Sequence, residues 1–292
     1  MEKSNDLTVA FLGAGHMGAP MATRLIHDGF HVRVWNRSSE RLEALVQLGG
    51  IEASTPADAA LGADVVITML PDGATVESVI EGENGAFNTM ERGAVWLQMS
   101  TIGIDWTERL AVRAREGGVV FVDAPVSGSV TPAANGALLI LASGPSESQP
   151  VVTSILDSLG RHTFWLGSAG AGSRAKLVLN NWLVDMVEMV VETLNFSEAL
   201  GLDPHLVVDV LAEAPIGSPY AVTKARSMLE GDFSTNFALK YAIKDALLAI
   251  DAAKKADSDL VLTASLIPSW QRALANGAGE LDLSAVYGFA DV

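Results

Sequence analysis

Short runs rich in apolar residues divide the first part of the chain. Residues 7–12 (Leu-Thr-Val-Ala-Phe-Leu) and 31–35 (His-Val-Arg-Val-Trp) are two of them, and glycine or asparagine follows each directly. Runs of this length, bounded by turn-forming residues, predict strands of a mostly parallel sheet. Helical stretches separate the runs, as in repeated βα units. Further runs predict strands at 64–70, 94–99, 119–122, 138–142 and 163–166, the last two completing the sheet.

The pattern changes after residue 166, where apolar positions begin to recur at helical spacing. The longest stretch runs from Gly170 to Gly201; it opens with glycines and a serine, and Pro204 follows its end. These start and stop signals predict one long helix. Its apolar positions cover more than one stripe, so we expect it to pack on several sides. Further helices are predicted at 204–213, 219–230, 236–256 and 259–275.

Two domains follow from these patterns. We expect residues 1–166 to form an α/β domain around a doubly wound, mostly parallel sheet. Residues 167–292 are expected to form an all-α domain, and the long helix joins the two. A chain of 292 residues is long enough to bury a core in each.

Composition and charge narrow the possible partners. The chain is 49% apolar and 18% charged, as in globular proteins, and its net charge of -16 argues against nucleic-acid or anionic-membrane partners. It has no cysteine, and its five histidines lie scattered, so we expect no disulfide, thiol nucleophile or metal site. The apolar runs are too short to span a bilayer, and no secretory leader is visible. We therefore expect a cytoplasmic protein.

A glycine-rich loop follows the first predicted strand and opens the first predicted helix. This order of strand, G-x-G-x-x-G, helix and second strand is typical of dinucleotide-binding (Rossmann) domains. The glycines permit a tight turn and close approach of a pyrophosphate, and the helix amino terminus supplies N–H donors. The residues expected to bind the cofactor here are Gly13, Ala14, Gly15, His16, Met17 and Gly18, with the His16 side chain pointing to solvent.

The residues after the second strand indicate which dinucleotide binds. NAD-binding domains tend to carry a carboxylate here, whereas an arginine accommodates the additional phosphate of NADP. This chain reads Asn36-Arg37-Ser38, with no carboxylate before Glu40. A guanidinium can hold a 2′-phosphate in a forked, charge-assisted contact. We therefore expect NADP(H) to be preferred, with NAD(H) possible.

Candidate ligand-binding residues also follow later strands. In open α/β sheets, ligands bind beyond the carboxyl ends of the strands. Taken singly, these residues could be turn formers, but all of them lie at strand ends. They are Met69, Leu70 and Pro71 after the strand at 64–70, Thr101 after that at 94–99, and Ser127 with Gly128 after that at 119–122.

The start of the long helix carries a pair of polar residues. Lys176 and Asn180 are four residues apart, and hence on one face of the helix. A single lysine on a helix is usually a solvated surface residue. A lysine and an asparagine on an otherwise apolar helix, directly after a glycine-rich turn, are better candidates for a functional site.

These motifs together resemble the β-hydroxyacid dehydrogenases, which include 3-hydroxyisobutyrate dehydrogenase, tartronate semialdehyde reductase and the glyoxylate/succinic semialdehyde reductases. The resemblance extends over nearly the whole chain. The motifs that carry it are the loop 13–18 with the residues flanking it, Trp35-Asn36-Arg37, 69–72, 99–102, 123–128, 170–181 and 237–245.

The resemblance implies roles for particular residues. Lys176 would be the catalytic lysine, and Ser127, Gly128 and Asn180 would hold the substrate. The loop 13–18, Leu70, Thr101 and Lys244 would contact the cofactor. The family fold is a Rossmann domain followed by a helical domain similar to that of 6-phosphogluconate dehydrogenase. Its members are usually homodimers or homotetramers that assemble through the helical parts.

Other activities remain open at this stage. A 6-phosphogluconate dehydrogenase would be longer and would carry histidine before Asn180, where this chain has Leu179. Imine reductases share the architecture but typically lack a lysine at position 176. A protein that binds NADPH without turnover is a further alternative. The sequence does not distinguish among hydroxyacid or semialdehyde substrates.

Overall fold

A computed structural model describes residues 7–289 of the chain. The chain divides into two compact units, of which the first ends at Lys176 and the second begins at Leu177. This division lies inside one helix of 29 residues, Ala171–Ala199, whereas the sequence pattern places the domain boundary between residues 166 and 167.

The first unit is built on a sheet of six strands. These are β1 (Thr8–Leu12), β2 (His31–Trp35), β3 (Ile51–Glu52), β4 (Val65–Thr68), β5 (Val95–Gln98) and β6 (Val120–Asp123). Their order is β3-β2-β1-β4-β5-β6, and every neighbouring pair is parallel. The predicted doubly wound sheet is confirmed. Its strand order reverses between β1 and β4, which places the ends of β1, β4 and β5 side by side.

Three more strands form a second, smaller sheet. β7 (Val126–Ser127) pairs antiparallel with β8 (Leu138–Ala142), which pairs parallel with β9 (Gly160–Trp165). The expectation that the strands at 138–142 and 163–166 complete the main sheet is therefore wrong. Pro125, two residues after the end of β6, has no N–H to donate to a ladder, and from Val126 onward the chain pairs with β8 instead. An apolar run predicts a buried strand, but it does not identify the strand's partner.

Both faces of the main sheet are covered by helices. In β1, Val9 and Phe11 lie in one buried cluster, whereas Ala10 and Leu12 lie in another. Burial on both faces explains why the strands are continuous apolar runs rather than alternating ones. The helices of this unit, short 3₁₀ turns aside, are α1 (Gly18–His27), α2 (Glu43–Gln47), α3 (Pro56–Ala60), α4 (Gly73–Glu81), α5 (Ile104–Gly117), α6 (Val130–Ala134) and α7 (Gln149–Leu159).

The described part of the second unit is helical, as predicted. Its core surrounds the fully buried Trp270, and α8 contributes Val184, Val187 and Leu194 to it. No helix within residues 7–289 is long and apolar enough to cross a membrane. The helix α8 (Ala171–Ala199) enters this unit at Leu177. The other helices, 3₁₀ turns aside, are α9 (Pro204–Glu213), α10 (Pro219–Glu230), α11 (Leu239–Lys255) and α12 (Val261–Ala275).

A buried ion pair fixes the segment that leads into α11. The ammonium group of Lys224 lies 2.6 Å from Asp282 Oδ1, and both side chains are buried. The other carboxylate oxygen, Oδ2, accepts hydrogen bonds from the Asn236 and Phe237 amides. Burial opposes ionisation of Asp282, but the hydrogen bond and charge of Lys224, with hydrogen bonds from Ser284, outweigh it and hold the pKa below its usual value.

Candidate active site

Two glycines of the loop after β1 are required by the protein's own packing. Gly13 has φ of +110°, and a Cβ atom there would lie 2.4 Å from the carbonyl oxygen of Met69. A Cβ atom on Gly18 would lie 1.8 Å from the carbonyl oxygen of Gly13. Side chains at these positions would push β1, β4 and α1 apart. The two residues therefore allow the tight turn and the close helix packing that the sequence predicts.

The middle glycine has a different surrounding. A Cβ atom on Gly15 would meet no protein atom within 4 Å, so packing does not explain glycine there. Gly15 lies three residues before the start of α1, whose N-cap residue Met17 makes no side-chain capping bond. Open space beside helical N–H donors suits a pyrophosphate, so these residues fit a nicotinamide dinucleotide. The His16 side chain is exposed.

Asn36 connects this loop to the end of β2. Its Oδ1 accepts a hydrogen bond of 3.1 Å from the Ala14 N–H, and its Nδ2 donates to the Ser38 carbonyl oxygen at 3.0 Å. The side chain thus holds the turn that carries Arg37. Arg37 and Ser38 are exposed. Arg41, at the end of the 3₁₀ turn that follows, is a second exposed guanidinium that the sequence reasoning missed, although it lies four residues after Arg37.

The segments after β4 and β5 are joined to each other. Ser100, buried after β5, accepts a hydrogen bond of 2.9 Å from the Leu70 N–H through its Oγ. The Leu70 side chain also lies against Gly13. The structure thus brings the predicted residues Met69, Leu70 and the glycine loop together at one edge of the sheet. Pro71 is exposed and Thr101 is half-buried.

Ser127 and Gly128 lie at the end of β7, outside the main sheet. Ser127 is paired with Leu139 of β8 and is half-buried. Gly128 has φ of +139°, and a Cβ atom on it would lie 2.8 Å from the Leu138 side chain. The positive φ and the close approach of Leu138 therefore require glycine at position 128. The polar groups available here are the Ser127 hydroxyl and the exposed backbone of Gly128.

Lys176 and Asn180 are one turn apart on α8. Lys176 is half-buried, whereas Asn180 is buried. The Asn180 Nδ2 donates a hydrogen bond to Asp245 Oδ2, and Asp245 Oδ1 lies 3.0 Å from the ammonium group of Lys244. Asn180 and Lys244, two predicted site residues of the second unit, are therefore linked through Asp245, to which the sequence assigned no role.

No group of three or more histidine, cysteine or carboxylate side chains within residues 7–289 could hold a metal ion.

Two protein-family models match consecutive parts of the chain. Residues 8–167 match the family model of the NAD-binding domain of 6-phosphogluconate dehydrogenase. Residues 170–290 match the model described as NAD-binding of NADP-dependent 3-hydroxyisobutyrate dehydrogenase. The two matches together account for nearly all of the chain.

Individual proteins match this chain over most of their own length. The chain is 32% identical to glyoxylate/succinic semialdehyde reductase 2 of Arabidopsis thaliana, over 98% of this chain and 80% of that protein. It is 34% identical to 3-sulfolactaldehyde reductase of Escherichia coli, over 95% of this chain and 94% of that protein. The 3-hydroxyisobutyrate dehydrogenase of Mycobacterium tuberculosis, solved with L-serine, superposes with a TM-score of 0.88 at 28% identity, covering 98% and 100% of the two chains.

Proposed function

The chain belongs to the β-hydroxyacid dehydrogenase family of NAD(P)-dependent oxidoreductases, and from this membership we propose that it interconverts a small, carboxylate-bearing semialdehyde and its hydroxyacid, preferring NADP(H) and using Lys176 as the general acid and base. The observation that carries the proposal is the Lys176–Asn180 pair on α8, whose buried Asn180 is held by Asp245. Relatives whose names include a succinic semialdehyde and a sulfolactaldehyde support an aldehyde that bears an acidic group.

Lys176 donates or accepts the proton of the reaction, depending on its direction. The nicotinamide, when bound, supplies or accepts the hydride at the substrate carbon. As negative charge grows on the carbonyl oxygen, the Lys176 ammonium stabilises that charge and gives the oxygen a proton, leaving a neutral amine. In the opposite direction, the neutral amine takes the hydroxyl proton. Asn180, one turn further along α8, orients Lys176 or the substrate oxygen.

Ser127 and Gly128 bind the substrate carboxylate. The Ser127 hydroxyl and the Gly128 N–H are donors, and hydrogen bonds from such donors to an anion are charge-assisted. A local group of donors is needed because the net charge of -16 repels anions at long range.

Arg37, Ser38 and Arg41 favour NADP(H) over NAD(H). Two exposed guanidiniums and a hydroxyl follow β2, and they suit a 2′-phosphate better than an unmodified ribose. Lys244, 3.0 Å from Asp245, provides a further positive charge toward the cofactor in this proposal.

We also propose a homodimer or homotetramer that assembles through α8. Five large apolar side chains on this helix are exposed: Val178 at 71%, Leu179 at 40%, Trp182 at 67%, Met189 at 58% and Phe196 at 65%. Trp182, Met189 and Phe196 follow one another at intervals of seven residues, the spacing of a helix–helix seam. A stripe of this kind is suited to the same stripe of a second copy.

Steady-state kinetics test the proposed activity. Purified protein is assayed with small semialdehydes, a cyclic imine and 3-hydroxyacids, with NADPH and NADH side by side, by nicotinamide absorbance. The sequence predicts a cytoplasmic location, so the assay is run at neutral pH. We expect turnover of an acid-bearing aldehyde, with a higher kcat/KM for NADPH. Turnover of the imine alone, or NADPH binding without turnover of any compound, would refute the proposal.

A further inference from the structure

A buried carboxylate holds the first turn of α8. Asp123, the last residue of β6, is fully buried. Its Oδ2 accepts a hydrogen bond of 2.8 Å from the Ser173 N–H, and its Oδ1 lies 2.7 Å from the Ser173 Oγ. The first amides of a helix have no acceptor inside the helix. Asp123 supplies one from 50 residues earlier in the chain.

Ser143 holds the neighbouring amide. Its Oγ accepts a hydrogen bond of 2.9 Å from the Gly172 N–H and donates to Asp123 Oδ2 at 3.2 Å. A Cβ atom on Gly172 would lie 2.1 Å from the Leu141 carbonyl oxygen, so this turn of α8 rests directly on the backbone of β8. Two consecutive amides of α8 are therefore held by side chains at the ends of β6 and β8.

A chain of hydroxyl groups continues from Asp123. The Ser173 Oγ lies 3.0 Å from the Thr107 Oγ1, which lies 2.8 Å from the Gly103 carbonyl oxygen. The three contacts Asp123–Ser173, Ser173–Thr107 and Thr107–Gly103 would each need one proton to be a hydrogen bond. The hydroxyl groups of Ser173 and Thr107 supply only two. All three become hydrogen bonds when Asp123 is protonated and donates to Ser173. Burial raises the pKa of Asp123 above its usual value, which favours that form.

The held turn lies directly before Lys176. Gly172 and Ser173 are four and three residues earlier, so they lie on the same side of α8 as Lys176. A helical turn is stiff, and moving its first amides would move the Lys176 backbone with them. We propose that Asp123, acting with Ser143 and Ser173, is a positioning residue for Lys176. The proposal rests on the role of Lys176 stated above.

The test compares Asp123→Ala with Asp123→Asn in the full-length protein. Asparagine can donate from Nδ2 to Ser173 Oγ and accept the Ser173 N–H through Oδ1, which reproduces the bonds of a protonated Asp123. Since a misplacement of ~1 Å can cost about 100-fold in rate, we expect Asp123→Ala to lower kcat by about 10- to 100-fold. The Kd of NADPH should be unchanged, and Asp123→Asn should restore kcat to within about threefold of wild type.

A matched control separates positioning from stability. Asp28 accepts a hydrogen bond of 2.7 Å from Ser158 Oγ in the same unit, and neither residue belongs to α8. Asp28→Ala should lower the Tm while leaving the kcat per folded molecule at the wild-type value. If Asp123→Ala does not fold, Ser143→Ala replaces it. Loss of that one hydroxyl should lower kcat by about 3- to 10-fold.

Lys176→Ala, measured in parallel, separates this inference from the proposed function. If Lys176→Ala keeps most of the activity, the role of the lysine fails, and the positioning role fails with it. If Lys176→Ala is impaired but Asp123→Ala, or Ser143→Ala in its place, has the kcat of wild type, only the positioning inference is overturned. An Asp123→Asn variant as slow as Asp123→Ala at equal Tm would overturn it as well.

Discussion

Single residues of the glycine loop have separable roles. Gly13 and Gly18 avoid collisions with backbone oxygens of the protein itself, whereas Gly15 borders open space. The first two are therefore needed for folding, and we propose that the third is needed for the ligand. This difference cannot be read from the spacing of the three glycines in the sequence.

Gly15→Ala should weaken cofactor binding without weakening the fold. The added methyl group occupies the space that a pyrophosphate needs, so we expect the Kd of NADPH to rise by about tenfold, or ~1.4 kcal/mol. Fluorescence titration with NADPH measures the Kd, and thermal unfolding measures stability. Gly18→Ala is the contrast, because its methyl group meets the Gly13 oxygen and should destabilise the protein by about 1–3 kcal/mol. An unchanged Kd in Gly15→Ala would contradict the assignment.

Arg37→Ala should affect one cofactor and not the other. A charge-assisted hydrogen bond contributes about 1.5–3 kcal/mol, so the KM for NADPH should rise by about 10- to 100-fold while the KM for NADH stays the same. Arg161→Ala removes another exposed arginine, on β9, and should change neither value. Equal effects of Arg37→Ala on both cofactors would show that the guanidinium does not read the 2′-phosphate.

Residues that act through long-range contacts escaped the sequence analysis. Lys176 and Asn180 are conspicuous because they share one helical face, which periodicity reveals. Asp123 and Asp245 reach α8 from 50 and 65 residues away along the chain, and no local pattern records such a contact. The sequence therefore suggested the groups proposed for the chemistry but not the side chains that hold them in place.

Among the elements, α8 presents an exposed apolar stripe in the second unit. Phe196→Asp puts a charge into that stripe, so we expect the oligomer to dissociate. Light scattering coupled to size exclusion measures the mass. Val112→Asp, at an exposed valine on α5, should leave the mass unchanged. A wild-type monomer, or a Phe196→Asp variant with the wild-type mass, would contradict assembly through α8.

The connection from α10 to α11 depends on a buried charge pair. Lys224→Met leaves Asp282 buried without its counter-ion, so we expect a loss of about 3–5 kcal/mol in the free energy of unfolding. Lys240→Met breaks an exposed pair with Glu280 and should cost less than about 1 kcal/mol. Urea denaturation of both variants measures the difference. Equal losses of unfolding free energy in Lys224→Met and Lys240→Met would show that burial does not make the Lys224–Asp282 pair more important.

The same pair predicts a pH dependence. The pKa of Asp282 is lower in the folded protein than its ordinary value of 3.8, so its contribution is fully present above that value. The contribution is lost as the pH falls through the folded-state pKa. Urea denaturation at several pH values should therefore show the gap between wild type and Lys224→Met shrinking toward low pH. A gap that stays constant or widens would contradict the account.

Most elements of the chain could be predicted, but not all of their pairings. Apolar runs predicted five of the six strands of the main sheet, and the helices predicted at 204–213 and 219–230 have the bounds of α9 and α10. β8 and β9 were assigned to the wrong sheet, because pairing depends on where the chain turns after β6. β3 and β7, of two residues each, are too short to leave a pattern.

At the scale of the whole molecule, the strongly acidic net charge determines how an anionic cofactor and substrate can be bound. A net charge of -16 keeps anions away except where local donors gather. The donors proposed here for the cofactor phosphates and the substrate carboxylate are glycine-loop amides, guanidiniums, the Ser127 hydroxyl and the Gly128 N–H. The expectation that nucleic acids are not partners rests on the same electrostatic reason.

The Lys176→Ala variant tests the central claim most directly. Positioned acid–base catalysis contributes about 10²- to 10⁴-fold, so kcat with the best aldehyde should fall by that factor. The Kd of NADPH and the Tm should stay near the wild-type values. Lys254→Ala, at an exposed lysine of α11, should have wild-type kinetics. A Lys176→Ala variant that binds NADPH normally and keeps most of its turnover would contradict the account.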